Sequence, residues 1–439
     1  MITLKINNSE SQITGVSVEQ LKTLRRLLSY TPANTYMPGQ RFTPIKYLMD
    51  KRGVFPTGLL YIVQKYLEST PHTVDDHRKP PEGRKKLFSL SLGVQPYPEQ
   101  TAAARACRTH MRGIISAPTG VGKSLITALI INELQVPTLV VVPTLELKRQ
   151  LTASLKQLFG EDVVGKDKPI YVQNIDSLAG KTLKTQYDCV IIDEFHHSAA
   201  STYRKLNKRA WAGIYYRFGL TATPFRSQDA ERLLLESVLS KVIYRLSYSD
   251  AVKNNYIVPM EAYYYEVPKK KTQGVKWASV YAELVVNNDA RNDLIAALLT
   301  QLRLHNVSTL CLVKEIAHGE KLSKLANVHF ANGQNEDSQD LIAFFSQGNI
   351  RQLIGTTGIV GEGVDTKPAE FIIIAGLGKS KNQFMQQVGR GFRKFAGKES
   401  CKIIIFLDRS HKWTREHFKA QLKILEEEYG VIAQKLENL

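Results

Sequence analysis

Residues 116–124 read SAPTGVGKS, a glycine-punctuated turn that follows the apolar run Gly113–Ile115 and leads into the helical stretch Ser124–Ile131. In such a turn the backbone N–H groups point inward and the following helix adds partial positive charge at its N-terminus, so both favour a bound phosphate. Thr119, Gly120, Val121 and Gly122 would form the cradle. Lys123 would reach the β- and γ-phosphates of ATP, and Ser124 would ligate Mg²⁺. An ordinary strand-to-helix turn reads much the same, and Ala117 stands where the general pattern has a glycine.

A metal needs a carboxylate and an attacking water needs a base. Val190–His197, VIIDEFHH, supplies both after an apolar run, at the strand end where parallel α/β sheets place their ligands. Asp193 is the candidate for Mg²⁺, held through water, and Glu194 for orienting or deprotonating the water. A metal site built from Asp193, Glu194, His196 and His197 is the weaker reading, because adjacent histidines leaving a strand point apart. Gln386–Arg393, QQVGRGFR, adds Arg390 and Arg393. On a helix these lie three apart and share a face, suited to meeting charge that develops on a γ-phosphate. Alone, such a face is equally a solvated one.

The rest of the chain must position these groups. Its 439 residues suit two or three domains, and 43% hydrophobic with 23% charged residues is a globular composition. Lys and Arg number 59 against 41 Asp and Glu, a net charge of +18, which attracts polyanions and makes nucleic acid the first partner to consider. Cys107, Cys189, Cys311 and Cys401 are scattered singly, as expected of reduced thiols in a cytoplasmic protein. No window approaches a membrane span, and the start MITLKINNSE lacks a leader pattern.

Residues 1–84 read as a small N-terminal domain. Ser17–Gln20 has the spacing of a capping box ahead of a helix, a second helix follows Pro56-Thr-Gly58, and the polar stretch from Thr70 to Lys86 reads as a linker. Beyond it, apolar runs alternate with helical stretches: Arg112–Ser116, Thr138–Val142, Ile170–Gln173, Cys189–Ile192 and Tyr216–Leu220, then Thr309–Val313, Val328–Phe330, Gln352–Ile354, Phe371–Ile374 and Lys402–Leu407. Runs of this kind are buried strands of parallel sheets with helices on both faces. The expected architecture is α/β, with parallel-sheet domains over 85–258 and 259–439 behind a small α+β domain. Asp229–Lys271 reads as a connector, and the residues after Phe406 as terminal helices.

The motifs also stand in a recognisable order: Gln100 in VQPYPEQ, then APTGVGKS, VVPTLELKRQ, QNIDSLA, DEFHH, LTATP, GTTGIVGEGVD and QQVGRGFR. This set resembles the superfamily 2 helicases, whose motor is two RecA-like domains that use ATP with Mg²⁺. The resemblance implies that Gln100 recognises adenine, that Gly363 and Asp365 bridge nucleotide and nucleic acid, and that His196, Thr221, Thr223 and Gln386 couple the two sites. Each threonine could equally cap a turn. Pro143, Thr144, Arg149, Asn174, Ser177, Thr356 and Thr357 become candidates for nucleic-acid phosphates, contacts that position a strand without reading its bases.

DEFHH together with LTATP points toward DNA motors and away from the RNA-remodelling DEAD-box branch. RFTPIKYLMDKRGVFPTGLLYIVQKYLE resembles the small domain preceding the motor in UvsW-type phage helicases, although Met49-Asp-Lys-Arg-Gly53 stands where that group has Trp-Asp-Gly. Arg41, Lys46, Lys51 and Arg52 with Phe42 and Tyr47 could form a basic, aromatic surface or merely a solvated rim. The resemblance implies a monomeric helicase of branched DNA (forks, Holliday junctions, D- or R-loops) in a host cytoplasm, with recombination or replication proteins as further partners and no membrane. A duplex translocase that separates no strands, or an ATP-switched DNA-binding adaptor, are the alternatives.

Overall fold

The protein is described here from a computed structural model. It covers residues 1–32, 45–81, 86–91, 93, 95–178, 186–195, 200–222, 229–360, 366 and 368–437. The chain forms two compact units, Met1–Ala117 with Gly122–Leu246, and Pro118–Val121 with Ser247–Leu439.

In the first unit, β1 (Ile2–Ile6), β2 (Glu10–Thr14), β3 (Val54–Pro56) and β4 (His72–Asp76) make a sheet of order β3-β2-β1-β4. Alternation in ITLKI sends Ile2, Leu4 and Ile6 into a core with Leu24, Leu28, Phe55, Leu59 and Val63. The helices α1 (Val18–Leu27) and α2 (Leu60–Tyr66) close that core. The Ser17 hydroxyl and Gln20 side chain form the expected reciprocal cap of α1. The expected linker departs from the sequence reading at its start, because β4 pairs with β1 in parallel from Ile2–His72 to Ile6–Asp76. HTVDD is a polar, largely exposed edge strand, so it carries no apolar alternation to betray it.

A second sheet in this unit contains β5 (Arg112–Ser116), β6 (Thr138–Val142), β7 (Ile170–Asn174), β8 (Cys189–Asp193), β9 (Tyr216–Thr221) and β10 (Val242–Arg245), in the order β10-β5-β9-β8-β6-β7. Every pairing is parallel. β5, β6 and β8 are buried throughout, which is why their sequences are continuous apolar runs. Helices α3 (Pro98–His110), α4 (Lys123–Leu134), α5 (Leu145–Phe159), α6 (Ala200–Lys208) and α7 (Asp229–Leu239) alternate with them. β10 lies within the stretch expected to be a connector; the chain leaves α7 at Leu239 and adds an edge strand.

The second unit starts with α8 (Tyr248–Lys253) and holds β11 (Met260–Val267), β12 (Thr309–Val313), β13 (Phe330–Ala331), β14 (Gln352–Thr356), β15 (Phe371–Ile374), β16 (Cys401–Asp408) and β17 (Gln434–Lys435). Their order is β13-β14-β12-β15-β16-β11-β17, again all parallel. Two parallel sheets with interleaved helices are tandem RecA-like domains. β11 corrects the connector reading: MEAYYYEV is an eight-residue strand paired along its length with β16. The chain after Phe406 also departs from the expected helices, since α11 (Lys412–Tyr429), which follows α9 (Asp289–Leu304) and α10 (Lys381–Gly389), returns to the sheet as β17. The four cysteines are free and buried.

Candidate nucleotide site and nucleic-acid face

The turn after β5 has the backbone that its glycines permit. Gly120 has φ +93° and Gly122 φ +80°, left-handed values costly for residues with a Cβ. α4 begins at Lys123, one residue earlier than the helical pattern suggested. Gln100, on α3, is 4% exposed, and its Oε1 accepts from the Tyr97 N–H at 2.8 Å. A Cβ on Gly122 would come within 2.8 Å of Gln100 Nε2, so the glycine admits the amide to the mouth of the turn.

At the end of β8, Asp193 is buried and its Oδ1 accepts from the Glu194 N–H at 3.0 Å. Glu194 adopts φ +47°, and its carboxylate lies 2.7 Å from Lys123 Nζ. Thr221, 1% exposed at the end of β9, presents its carbonyl to the Ala117 N–H at 3.0 Å, at the entrance of the turn. The unit therefore gathers Gln100, Gly122, Lys123, Asp193 and Glu194 with Thr221 at the carboxyl ends of its strands, and Ser124 is exposed in the first turn of α4. A carboxylate and a hydroxyl are hard oxygen donors of the kind Mg²⁺ takes beside nucleotide phosphates. Among the described residues no three His, Cys, Asp or Glu side chains group as a metal cage. His196, His197, Thr223, Gly363 and Asp365 lie outside the described residues, as do Arg41 and Phe42.

The shared helical face expected for Arg390 and Arg393 is not observed. α10 ends at Gly389, Arg390–Phe392 form a 3₁₀ turn, and Arg393 is extended at φ −67°, ψ 135°. Glycines at 389 and 391 interrupt the helix, so the i, i+3 argument fails. The Arg390 carbonyl accepts from Thr366 Oγ1 at 3.1 Å, and Gln386 lies on α10.

Four nucleic-acid candidates meet where β6 and β7 end. Asn174 Nδ2 donates to the Pro143 carbonyl at 2.8 Å, its Oδ1 accepts from the Ser177 N–H at 3.2 Å, and the Thr144 hydroxyl caps α5 by accepting from Leu147 N–H at 3.2 Å. Arg149, on α5, pairs with Glu146 at 2.9 Å while remaining exposed. In the second unit, Thr356 is buried and Thr357 half-buried, with Gln383 Nε2 3.4 Å from Thr357 Oγ1.

Motif reading passed over the groups that tie the N-terminal sheet to the motor sheet of the first unit. Arg217, fully buried on β9, donates to the carbonyls of Trp211 (2.6 Å) and Ile214 (3.0 Å), to Ser9 Oγ (3.2 Å) and to Asn207 Oδ1. Burial pushes its guanidinium well below the usual range. Arg112 donates to the Asn8 carbonyl at 2.9 Å, and burial lowers it to about 9. Tyr61, on α2, donates to Glu236 Oε2 at 2.6 Å, and burial raises that carboxyl. Arginine inside the apolar run YRFGL was the available signal. Among the described residues no helix is long and apolar enough to cross a membrane.

Comparison with known proteins agrees with this layout. Residues 93–226 match the family "Type III restriction enzyme, res subunit", and residues 290–395 match "Helicase conserved C-terminal domain". A helicase of Sulfolobus islandicus filamentous virus is 26% identical over 272 residues, 57% of this chain and 48% of that protein, so the chain matches about half its length. The DNA 3'-5' translocase XPB2 of Sulfurisphaera tokodaii is 24% identical over 384 residues, 76% of this chain and 85% of that one. The ATP-dependent DNA helicase uvsW of Enterobacteria phage T4 is 21% identical over 428 residues, 84% of each chain.

Proposed function

The chain being a superfamily 2 helicase, an ATP-hydrolysing enzyme with two helicase domains, we propose that it spends ATP on branched DNA: forks, Holliday junctions and D- or R-loops. Lys123 and the turn 119–122 hold the phosphates and Gln100 the adenine. Glu194 orients the attacking water, and Arg390 and Arg393 meet the charge that develops on the γ-phosphate. Asp193 and Ser124 would hold Mg²⁺, which neutralises charge on the β- and γ-oxygens when bound. Thr221, Thr223, His196 and Gln386, with Gly363 and Asp365, relay the nucleotide state to the nucleic-acid face. There Pro143, Thr144, Arg149, Asn174, Ser177, Thr356 and Thr357 take phosphates, so affinity falls steeply with salt. The small N-terminal domain (1–84), the ATP-binding domain (85–258) and the second motor domain (259–439) are the working parts of a monomer.

One observation carries the branched-DNA reading. The N-terminal sheet is fastened to the ATP-binding sheet by the buried Arg217 bond and by the part-buried bonds of Arg112 and of Tyr61 with Glu236. Whatever that sheet grips moves with the motor that tracks a strand, and gripping one duplex arm while drawing in another is what a junction requires. ATP hydrolysis is measured with single strands, linear duplex, forks and four-way junctions while strand products are scored in the same tubes. Stimulation greatest with forks and junctions, with regressed or separated strands, is the expected result. Equal stimulation by linear duplex with no strand released would favour the second reading, a duplex translocase, which the match to an archaeal DNA translocase supports.

A further inference from the structure

The second unit carries a cluster of aromatic rings that no motif accounts for. Trp277 opens a helical stretch that continues to Val286, and Trp413 sits in the first turn of α11. Their ring centroids are 6.2 Å apart at 85°, with His417 4.2 Å from Trp277 and His411 4.8 Å from Trp413. Trp277 leans on a small core of Tyr281, Val285, Val286 and Leu377, which explains one of its faces. Both tryptophans nevertheless remain only partly buried. Cations stand over the cluster: Lys412 Nζ is 5.8 Å from the Trp413 ring and Lys314 Nζ 5.2 Å from the Tyr281 ring. The loop carrying Lys269–Lys271 is tied beside it, since Lys270 N–H donates to Ser410 Oγ at 3.0 Å, next to His411.

We propose that Trp277 and Trp413 form a stacking platform for the unpaired bases of a single DNA strand. Indole faces stack on any base, and flanking ammonium groups take the phosphates between bases, the combination that binds single strands without sequence preference. Leu377, against which Trp277 packs, also lines a cleft with Lys314, Thr357, Gln383 and Gln421. Thr357 is already a phosphate candidate there, and Gln421 Oε1 is buried with no partner among the described residues. The proposal rests on the reading that this chain works on DNA.

The chain has three tryptophans, and Trp211 is fully buried in the first unit, so quenching of tryptophan emission by a stacked base reports on the platform. The full-length protein is titrated with oligothymidylate without nucleotide, following emission and the anisotropy of a labelled strand together. Quenching that tracks binding is expected, lost in the double variant Trp277→Phe/Trp413→Phe, where only Trp211 emits. Trp413→Ala weakens strand binding roughly tenfold, the lower part of the range for one stacked base, whereas Trp413→Phe stays within about threefold. Binding without quenching in the wild type, quenching by oligouridylate alone, or equal affinity of the alanine variant overturns the platform. If neither DNA strands nor junctions bind at all, it is the DNA-acting reading that falls. Should Trp413→Ala fail to fold, the wild-type and phenylalanine titrations still decide.

Discussion

Lys123 and Glu194 face each other as an ion pair, Nζ to Oε1 2.7 Å, with the two side chains only 11% and 16% exposed. The lysine proposed for the phosphates is thus held by the carboxylate proposed for the water. Glu194 keeps its place with a left-handed backbone at φ +47°, a conformation costing about 1–2 kcal/mol for a residue with a Cβ. An arriving nucleotide must take Lys123 away from Glu194.

Replacing Glu194 by Gln therefore separates two effects. It removes the competitor for Lys123 and a like charge near the phosphates, so ATP binds several-fold more tightly. It also removes the base, so turnover falls about 100-fold or more. Lys123→Ala instead weakens binding. A fluorescent-nucleotide titration with single-turnover hydrolysis measures both; near-normal turnover in Glu194→Gln sinks the assignment of the base.

The second unit carries an acid-sensitive group. His318 is fully buried, with Nε2 3.0 Å from Asn292 Oδ1, and burial, helped by Arg291 and Lys321, lowers it from 6.5 to about 3. Between those values the unfolded chain binds a proton that the folded chain refuses. Stability is unaffected above 6.5 and is lost as pH falls from 6.5 toward 3, by up to about 1.4 kcal/mol per pH unit. His318→Gln should flatten the loss in urea melts between pH 6.5 and 4. An unchanged slope would mean that other groups, such as His417 lowered to about 4, carry the acid sensitivity.

Where burial and sequence pattern coincide, the fold was legible: β5, β6 and β8 are buried along their whole length and read as apolar runs. β11 escaped because it is three consecutive tyrosines set between Glu261 and Glu266 and bounded by prolines rather than an apolar run, and β4 because it is exposed. Spacing alone misplaced Arg390 and Arg393, since i, i+3 geometry presumes a helix that the glycines end. The turn after β5 was readable because its left-handed backbone at Gly120 and Gly122 demands glycine at fixed positions. The partners of Arg217 were not: Ser9, Asn207, Trp211 and Ile214 are brought together only by the fold, so the run YRFGL can flag the arginine but not what it binds.

That buried arginine makes the attachment of the N-terminal sheet testable. Arg217 serves neutral acceptors from three segments, and truncating it leaves several carbonyls and the Asn207 amide oxygen unsatisfied. Arg217→Ala should cost about 3–5 kcal/mol in urea unfolding, and Arg217→Lys restores little because an ammonium cannot reproduce the fork. Limited proteolysis should then release residues ahead of β5 from the variant but not from the wild type. Lys208→Ala is the control: its ion pair with Glu10, at 2.6 Å, joins the same two parts but is 49% and 43% exposed, so its loss should cost less than about 1 kcal/mol. If Arg217→Ala melts like the wild type and keeps its N-terminal sheet protected, the sheet is held by its apolar contacts with Leu233 and Leu234 instead. The structural basis proposed for junction recognition would then have to be sought there.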